Sequence, residues 1–111
     1  MSTDDKGNGD GAQHPIRRLD RLVHEPSRLL ILSFLHGLEH ADFLFLLRQT
    51  GLTRGNLSSH VSKLEGAGLV EVEKSFVDKI PRTLYRITNE GHEALRRYRK
   101  QMFEVLADLP E

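Results

Sequence analysis

Residues 52–76, LTRGNLSSHVSKLEGAGLVEVEKSF, decide how the rest of the chain is read. Leu57, Val61 and Leu64 form one apolar stripe at helical spacing, and Thr53 is a good N-cap for the helix that carries them. The opposite face of that helix holds Gly55, Asn56, Ser58, Ser59, Ser62, Lys63 and Gly66, with no large apolar member. A face that meets only water usually carries long Glu, Lys and Gln, which favour both helix and solvent; Ser and Gly do not favour a helix and need another reason to be there. This one is shaped for close approach by another molecule.

Downstream, Gly66-Ala67-Gly68 closes the helix by letting the backbone take positive φ, and the period then falls to two. Val70 and Val72 alternate with Leu69, Glu71 and Glu73, the strand continuing through Lys74 and Phe76 to Val77; Tyr85 and Ile87 alternate with Leu84, Arg86 and Thr88. Between these strands, DKIPR (78–82) reads as a proline-containing turn, so the hairpin has a basic tip of Lys79 and Arg82 backed by Lys74. Asn89 is the expected cap of a last helix, with Glu90 and Glu93 in its first turns, where the helix dipole favours acids. Within it, Leu95, Tyr98, Met102, Val105 and Leu109 follow the a/d spacing of a coiled coil for about two heptads. Phe103 and Leu106 are left to pack on the helix's own domain.

Upstream, Gly51 and Leu52 connect to the helix FLFLLRQT, for which Asp42 is the expected N-cap, and His40 and Ala41 suit a very short strand. Two helices joined by a short glycine-containing turn make a helix-turn-helix. Pro26 opens the segment SRLLILSFLH, apolar nearly all round and hence a central core helix, which Gly37 ends. Ile16, Leu19, Leu22 and Val23, with Arg17, Arg18 and Arg21 between them, predict a short amphipathic helix over 16–24. Residues 1–14, rich in Gly and Asp, read as a disordered tail. The expected organisation is therefore this tail and one domain over 15–111, mainly α within the α+β class, in which helices 16–24 and 89–109 together can bury a dimer interface.

Composition narrows the function. With 111 residues the chain supports one core, and with no cysteine it offers neither a disulfide framework nor thiolate ligation, which points to the cytoplasm. No apolar run approaches the ~20 residues of a membrane span. Formal charge is zero, and leaving out residues 1–14 gives 15 basic and 13 acidic residues, a net of +2; affinity for a polyanion must come from placement. Six histidines raise a metal hypothesis, but His36 and His40 flank Gly37 and no carboxylate stands at ligand spacing, so no metal or cofactor is expected. Ser58 and His60, two apart on a helix, point away from each other and do not make a nucleophile and base, so no enzyme is expected.

Taken together, HEPSRLLIL (24–32), the L-x4-L-S-x-H-x3-L-E-x2-G-L-V pattern over 52–70, and PRTLYRITNEGHEAL (81–95) resemble the winged helix-turn-helix transcriptional regulators of the MarR and ArsR type, closest to small stand-alone MarR-like proteins. The resemblance covers roughly residues 16–109 and implies a homodimer on double-stranded DNA, with the second helix of the helix-turn-helix in the major groove and the wing on the neighbouring minor groove or backbone. By position, the groove-facing residues are Thr53, Arg54, Asn56, Ser58, Ser59 and Lys63, with Ser59 central, and the wing contacts are Lys74, Lys79 and Arg82. The dimer residues are Ile16, Leu19, Leu95, Tyr98, Met102, Val105 and Leu109. The larger MarR proteins carry Asp-x-Arg in the wing, whereas Asp78 and Arg82 stand four apart here. By the same analogy a small apolar effector has room between the dimerisation and DNA-binding parts. The alternative reading is a winged-helix protein-interaction module without DNA.

Overall fold

The computed structural model describes residues 14–110. Among these, a 3-10 turn (Pro15–Arg18) precedes α1 (Pro26–His36), β1 (Ala41–Asp42), α2 (Phe43–Thr50), α3 (Arg54–Gly66), β2 (Val70–Val77), β3 (Ile80–Ile87) and α4 (Asn89–Ala107). The strands form one antiparallel sheet in the order β1-β3-β2. This is the mainly helical α+β winged helix-turn-helix that the sequence predicts.

The caps explain where each helix begins. Pro26 occupies the first turn of α1, and the Glu25 carboxylate accepts from the Arg28 N–H at 2.7 Å. Asp42 does the same for α2 through Phe45 N–H at 2.8 Å, and Thr53 for α3 through Asn56 N–H at 3.1 Å. Gly51, at φ 71°, ends α2 in the left-handed region. α3 ends in a Schellman motif: Gly68 (φ 79°) donates to Glu65 O at 2.9 Å and Leu69 to Leu64 O at 2.9 Å.

Four expectations need correction. Residues 16–24 do not form a helix. After the 3-10 turn Leu19 is extended, and local bonds from Ile16 N–H to His14 Nδ1 (3.1 Å) and from Leu22 N–H to Asp20 Oδ1 (2.9 Å) interrupt helical pairing, leaving a single i→i−4 bond from His24 N–H to Asp20 O (2.7 Å). Leu19 and Val23 are nevertheless buried, as that pattern requires. Second, the wing turn is only Asp78-Lys79, both at positive φ (51° and 68°), so Ile80, Pro81 and Arg82 belong to β3. In a two-residue hairpin the flanking pair Val77–Ile80 exchanges hydrogen bonds and the next pair, Phe76–Pro81, does not, so the missing proline N–H costs nothing there. Third, Thr88 rather than Asn89 caps α4, because its hydroxyl both accepts from Gly91 N–H (3.0 Å) and donates to Gly68 O (2.6 Å). Fourth, α4 stops at Ala107, two residues short of the expected end. The reading of residues 1–14 as a disordered tail lies outside the described residues, apart from His14 at the first turn.

The core joins all the layers. Ile31, Leu32 and Leu35 of α1, Leu46 of α2, and Leu57 and Leu64 of α3 have no exposed surface, and Val70, Tyr85 and Ile87 bring in the sheet. Full burial of such aliphatic side chains contributes about 1.5–3 kcal/mol each. α4 reaches this core at Gly91, where a Cβ would lie 2.2 Å from Leu69 O and 2.6 Å from Ile87 Cγ1.

Two glycines therefore predict opposite outcomes. Gly91→Ala should lose about 2–4 kcal/mol, because backbone would have to move. Gly55→Ala, in a first turn with nothing within 4 Å, should gain a few tenths to about 1 kcal/mol. Denaturant unfolding of both variants checks the pair.

Candidate nucleic-acid interface

The apolar stripe of α3 is spent inward, with Leu57, Val61 and Leu64 buried. Its other face is open: Thr53, Arg54, Gly55, Asn56, Ser58, Ser59, Ser62, Lys63 and Gly66 are all exposed. Neither Gly55 nor Gly66 is required by a neighbour or by a positive φ, so the chain's own packing does not explain them. The Arg54 guanidinium lies over the Phe43 ring, 5.8 Å from its centroid, which holds this cation at the start of the helix.

The wing stands beside that face. Strand alternation and the pairs Lys74–Thr83, Phe76–Pro81 and Val72–Tyr85 place Val72, Lys74, Phe76, Pro81, Thr83 and Tyr85 on one side of the sheet. Lys74, Thr83 and Tyr85 share a crevice of about 360 Å3 with Ser58, Ser62 and Glu65 of α3. The exposed faces of α3 and the wing thus adjoin. Glu71 and Glu73 project to the other side, where Arg86 pairs with them at 3.1 and 3.3 Å. Lys79 occupies the turn, and Arg82, opposite Ser75, is exposed on β3. All nine sequence-predicted DNA residues are exposed: six lie on α3 or at its cap, Lys74 is on the hairpin face beside it, Lys79 is in the turn, and Arg82 is on the opposite hairpin face with Glu71 and Glu73.

A polar clamp, not expected from sequence, seats α3 on α1. Arg28 donates through Nε to Leu22 O at 2.6 Å, and its Nη1 lies 3.3 Å from His60 Nδ1, which is itself 3.8 Å from Glu25 Oε1. His60 is therefore a fastening of α3. Other histidines also have local partners: His24 Nδ1 meets Tyr98 OH at 2.7 Å, and His36 Nδ1 meets His92 Nδ1 at 2.9 Å. No cluster of three or more metal-ligating side chains occurs among the described residues.

The residues of the predicted α4 seam divide. Tyr98 and Val105 are buried within the chain, beside the N-terminal segment that supplies Leu19 and His24. Leu95 and Met102 are half-buried in a cleft of about 760 Å3 shared with Leu29 of α1, and Ile16 and Leu109 are exposed. Phe103 and Leu106, expected to pack on their own domain, instead stand 63% and 53% exposed along the rim of that cleft. The offset follows from the corrected N-terminal segment, which lies against Tyr98 and Val105 and leaves the Phe103 side open.

Residues 27–106 match the winged helix DNA-binding domain family. The chain is 40% identical over 86 residues to an uncharacterized protein of Methanocaldococcus jannaschii, covering 78% of this chain and 90% of that one. Among solved structures it is similar to a transcriptional regulator homologue from Pyrococcus horikoshii, with TM-score 0.77 and 32% identity over 91% of this chain and all of the other. It is also similar to a MarR family transcriptional regulator of Streptomyces coelicolor solved in complex with DNA, with TM-score 0.66 and 25% identity over 87% of this chain and 67% of the other. The chain belongs to the winged helix DNA-binding domain family, and the solved structures similar to it are transcriptional regulators that include MarR family members. No helix among the described residues is long and apolar enough to cross a membrane.

Tyr85, at the floor of the crevice, carries a pH signature. Burial, and then the nearby Glu65 carboxylate, raise its hydroxyl above the ordinary value of 10.0. A phenol held neutral in the fold contributes stability that is complete below its unfolded pKa and is lost as pH rises through the folded one. Stability should therefore fall above about pH 10, and less steeply in Tyr85→Phe; unfolding midpoints of the two proteins across that range check it.

Proposed function

We propose that this protein is a homodimeric transcriptional regulator that binds duplex DNA through α3 in the major groove and the β2–β3 wing on the flanking backbone or minor groove. The observation that carries this reading is the α3 face. It is fully exposed, built of Gly, Ser, Asn and two cations, and contains two glycines that the chain's own packing does not require. Asn56, Ser58 and Ser59 supply hydrogen-bond groups for base edges or phosphates, and Arg54 and Lys63 suit phosphate or guanine. The turn supports the same reading. Lys79 holds a left-handed backbone that glycine would adopt with less strain, so the cation at the tip is retained at a conformational cost.

The dimer follows from the cleft. An apolar surface lined by Leu29, Leu95, Met102, Phe103 and Leu106 is of the kind that marks an association site, and a two-fold partner would cover it with the same residues. Two copies would then present two α3 helices to successive major-groove faces, about 34 Å apart. The reading places the protein with DNA in the cytoplasm and needs no cofactor.

If each subunit neutralises about three or four phosphates, the slope of log affinity against log salt should be roughly −5 to −7. Lys79→Ala/Arg82→Ala should weaken binding to all sequences and make the slope shallower by about two for each subunit, one for each cation removed. Fluorescence anisotropy over a salt series measures both. A flat dependence, or no binding to any duplex at low salt, would overturn the DNA reading in favour of a protein-interaction module.

Light scattering should give twice the chain mass of 12.7 kDa. Phe103→Glu/Leu106→Glu should give a folded monomer, since both side chains are exposed in the single chain. A monomeric unaltered protein would exclude the dimer.

A further inference from the structure

The wing ends in apolar surface that the fold itself does not use. Phe76 is 73% exposed and Ile80 66%, with Val77 beside them at 45% and Pro81 completing the cap. Single exposed apolar residues need no explanation, but these four are consecutive across one rigid two-residue hairpin. They divide between the two faces of the hairpin: Phe76 and Pro81 share the inner face with Lys74, Val77 and Ile80 share the outer face with Arg82, and Asp78 and Lys79 form the turn between them. No acid projects on the inner face of the hairpin, because Glu71 and Glu73 lie on the opposite side, with Arg86. Phe76 and Pro81 are the next pair outward after Lys74 and Thr83, which border the crevice with Ser58 and Ser62 of α3. The aromatic ring is therefore carried on the side of the wing that adjoins the recognition face.

A docking site for an apolar protein groove would not need a lysine beside the ring on the same face and another in the turn. A polyanion with an apolar interior does, and duplex DNA is one: its phosphates line the groove edges and its stacked bases lie between them. Apolar side chains that enter the minor groove between base pairs partly unstack a step and bend the duplex, most readily at flexible pyrimidine–purine steps.

We propose that the wing tip is such a wedge: Phe76, backed by Pro81 on the same face, enters the minor groove beside the recognition-helix site and kinks the DNA there, while Lys74 and Lys79, with Arg82 from the outer face, hold the flanking phosphates. This rests on the DNA-binding reading above and adds to it a source of sequence preference at flanking steps that α3 does not touch. A type I′ turn suits the role, since a two-residue loop leaves little freedom to lose when the tip is inserted.

The test uses the full chain and duplexes that it selects from a randomised library. Circular-permutation gel mobility should show a bend centred on the flanks, and the selected flanks should be enriched in pyrimidine–purine steps. Phe76→Ala should bind the same duplexes roughly tenfold more weakly, lose the bend and the flank preference, and keep the salt slope. Phe76→Leu should keep much of the bend. Lys79→Ala/Arg82→Ala should show the converse, a flatter salt slope with the bend retained. Thermal melting of Phe76→Ala is expected to match the unaltered protein, since the ring is exposed. If the protein binds duplexes but Phe76→Ala bends them equally and keeps the flank preference, the wedge is wrong and the DNA reading stands. If the unaltered protein binds no duplex at low salt, both fall.

Discussion

The contact on which the arrangement depends is the one between the start of α4 and the carbonyl of Leu69. Three parts of the molecule meet there within a few residues. Gly68 and Leu69 close the recognition helix and begin the wing, Thr88 ends the wing, and Gly91 lets the first turn of α4 lie against Leu69 O. The Thr88 hydroxyl joins them, donating to Gly68 O and accepting from Gly91 N–H, while Thr88 N–H donates to Leu69 O at 3.0 Å. The bond to Gly91 N–H satisfies a donor that the first turn of α4 would otherwise leave unpaired, and the other two tie Thr88 to the carbonyls that follow α3. Because they share the same two carbonyls, the direction of α4 is set relative to both α3 and the sheet. Any constraint acting on α4 is thereby passed to the recognition face through backbone, not through flexible side chains.

α3 itself is held from two sides by different physics. Its apolar stripe is buried in the core, and the Arg28–His60 contact at 3.3 Å, with Glu25 3.8 Å from His60, holds it near its middle. Packing sets the depth of the helix, and the polar group limits its rotation. Rotation matters because the exposed face is defined by small residues: a turn of one position would replace Ser59 with the half-buried His60. A helix of low intrinsic propensity, with Gly55, Gly66 and four Ser or Asn residues outward, draws its stability from tertiary contacts.

Most of this was legible in the sequence where the signal is local. The stripe of Leu57, Val61 and Leu64, the caps at Asp42 and Thr53, and the left-handed Gly51 follow from spacing and residue type, and the structure has them as read. The misreadings share a cause. Pro81 reads as a turn residue until the register is known, and only the two-residue loop shows that its missing donor falls at a non-bonded pair. Ile16 to Val23 has a helical pattern, yet the segment is pinned by His14 and Asp20 and buries Leu19 and Val23 without being a helix. That in turn misassigned α4, whose Tyr98 and Val105 face this segment while Phe103 and Leu106 face outward. The sequence places apolar residues on two sides of α4, and which side is left open depends on a partner far away in the chain. The signal that could have located the open side was the width of that apolar band, too broad for a single seam. Gly91 was equally hidden, since close approach to Leu69 O is a property of the assembled junction.

The charge balance explains why one unit is a weak reader on the proposed function. With a net of +2 over residues 15–111, attraction to a duplex is modest, and the close-fitting face of α3 supplies contact more than pull. Joining two such units converts the second contact into an intramolecular event, which can raise affinity by roughly 10²–10⁴ without adding a charge, provided that the spacing of the two faces matches the DNA. On the proposed dimer, the junction at Leu69 would make that spacing a property of how two α4 helices meet. The open side of α4 is then the surface on which the geometry of reading depends, and a change in packing along the Leu95, Met102 and Phe103 cleft would move two recognition faces at once.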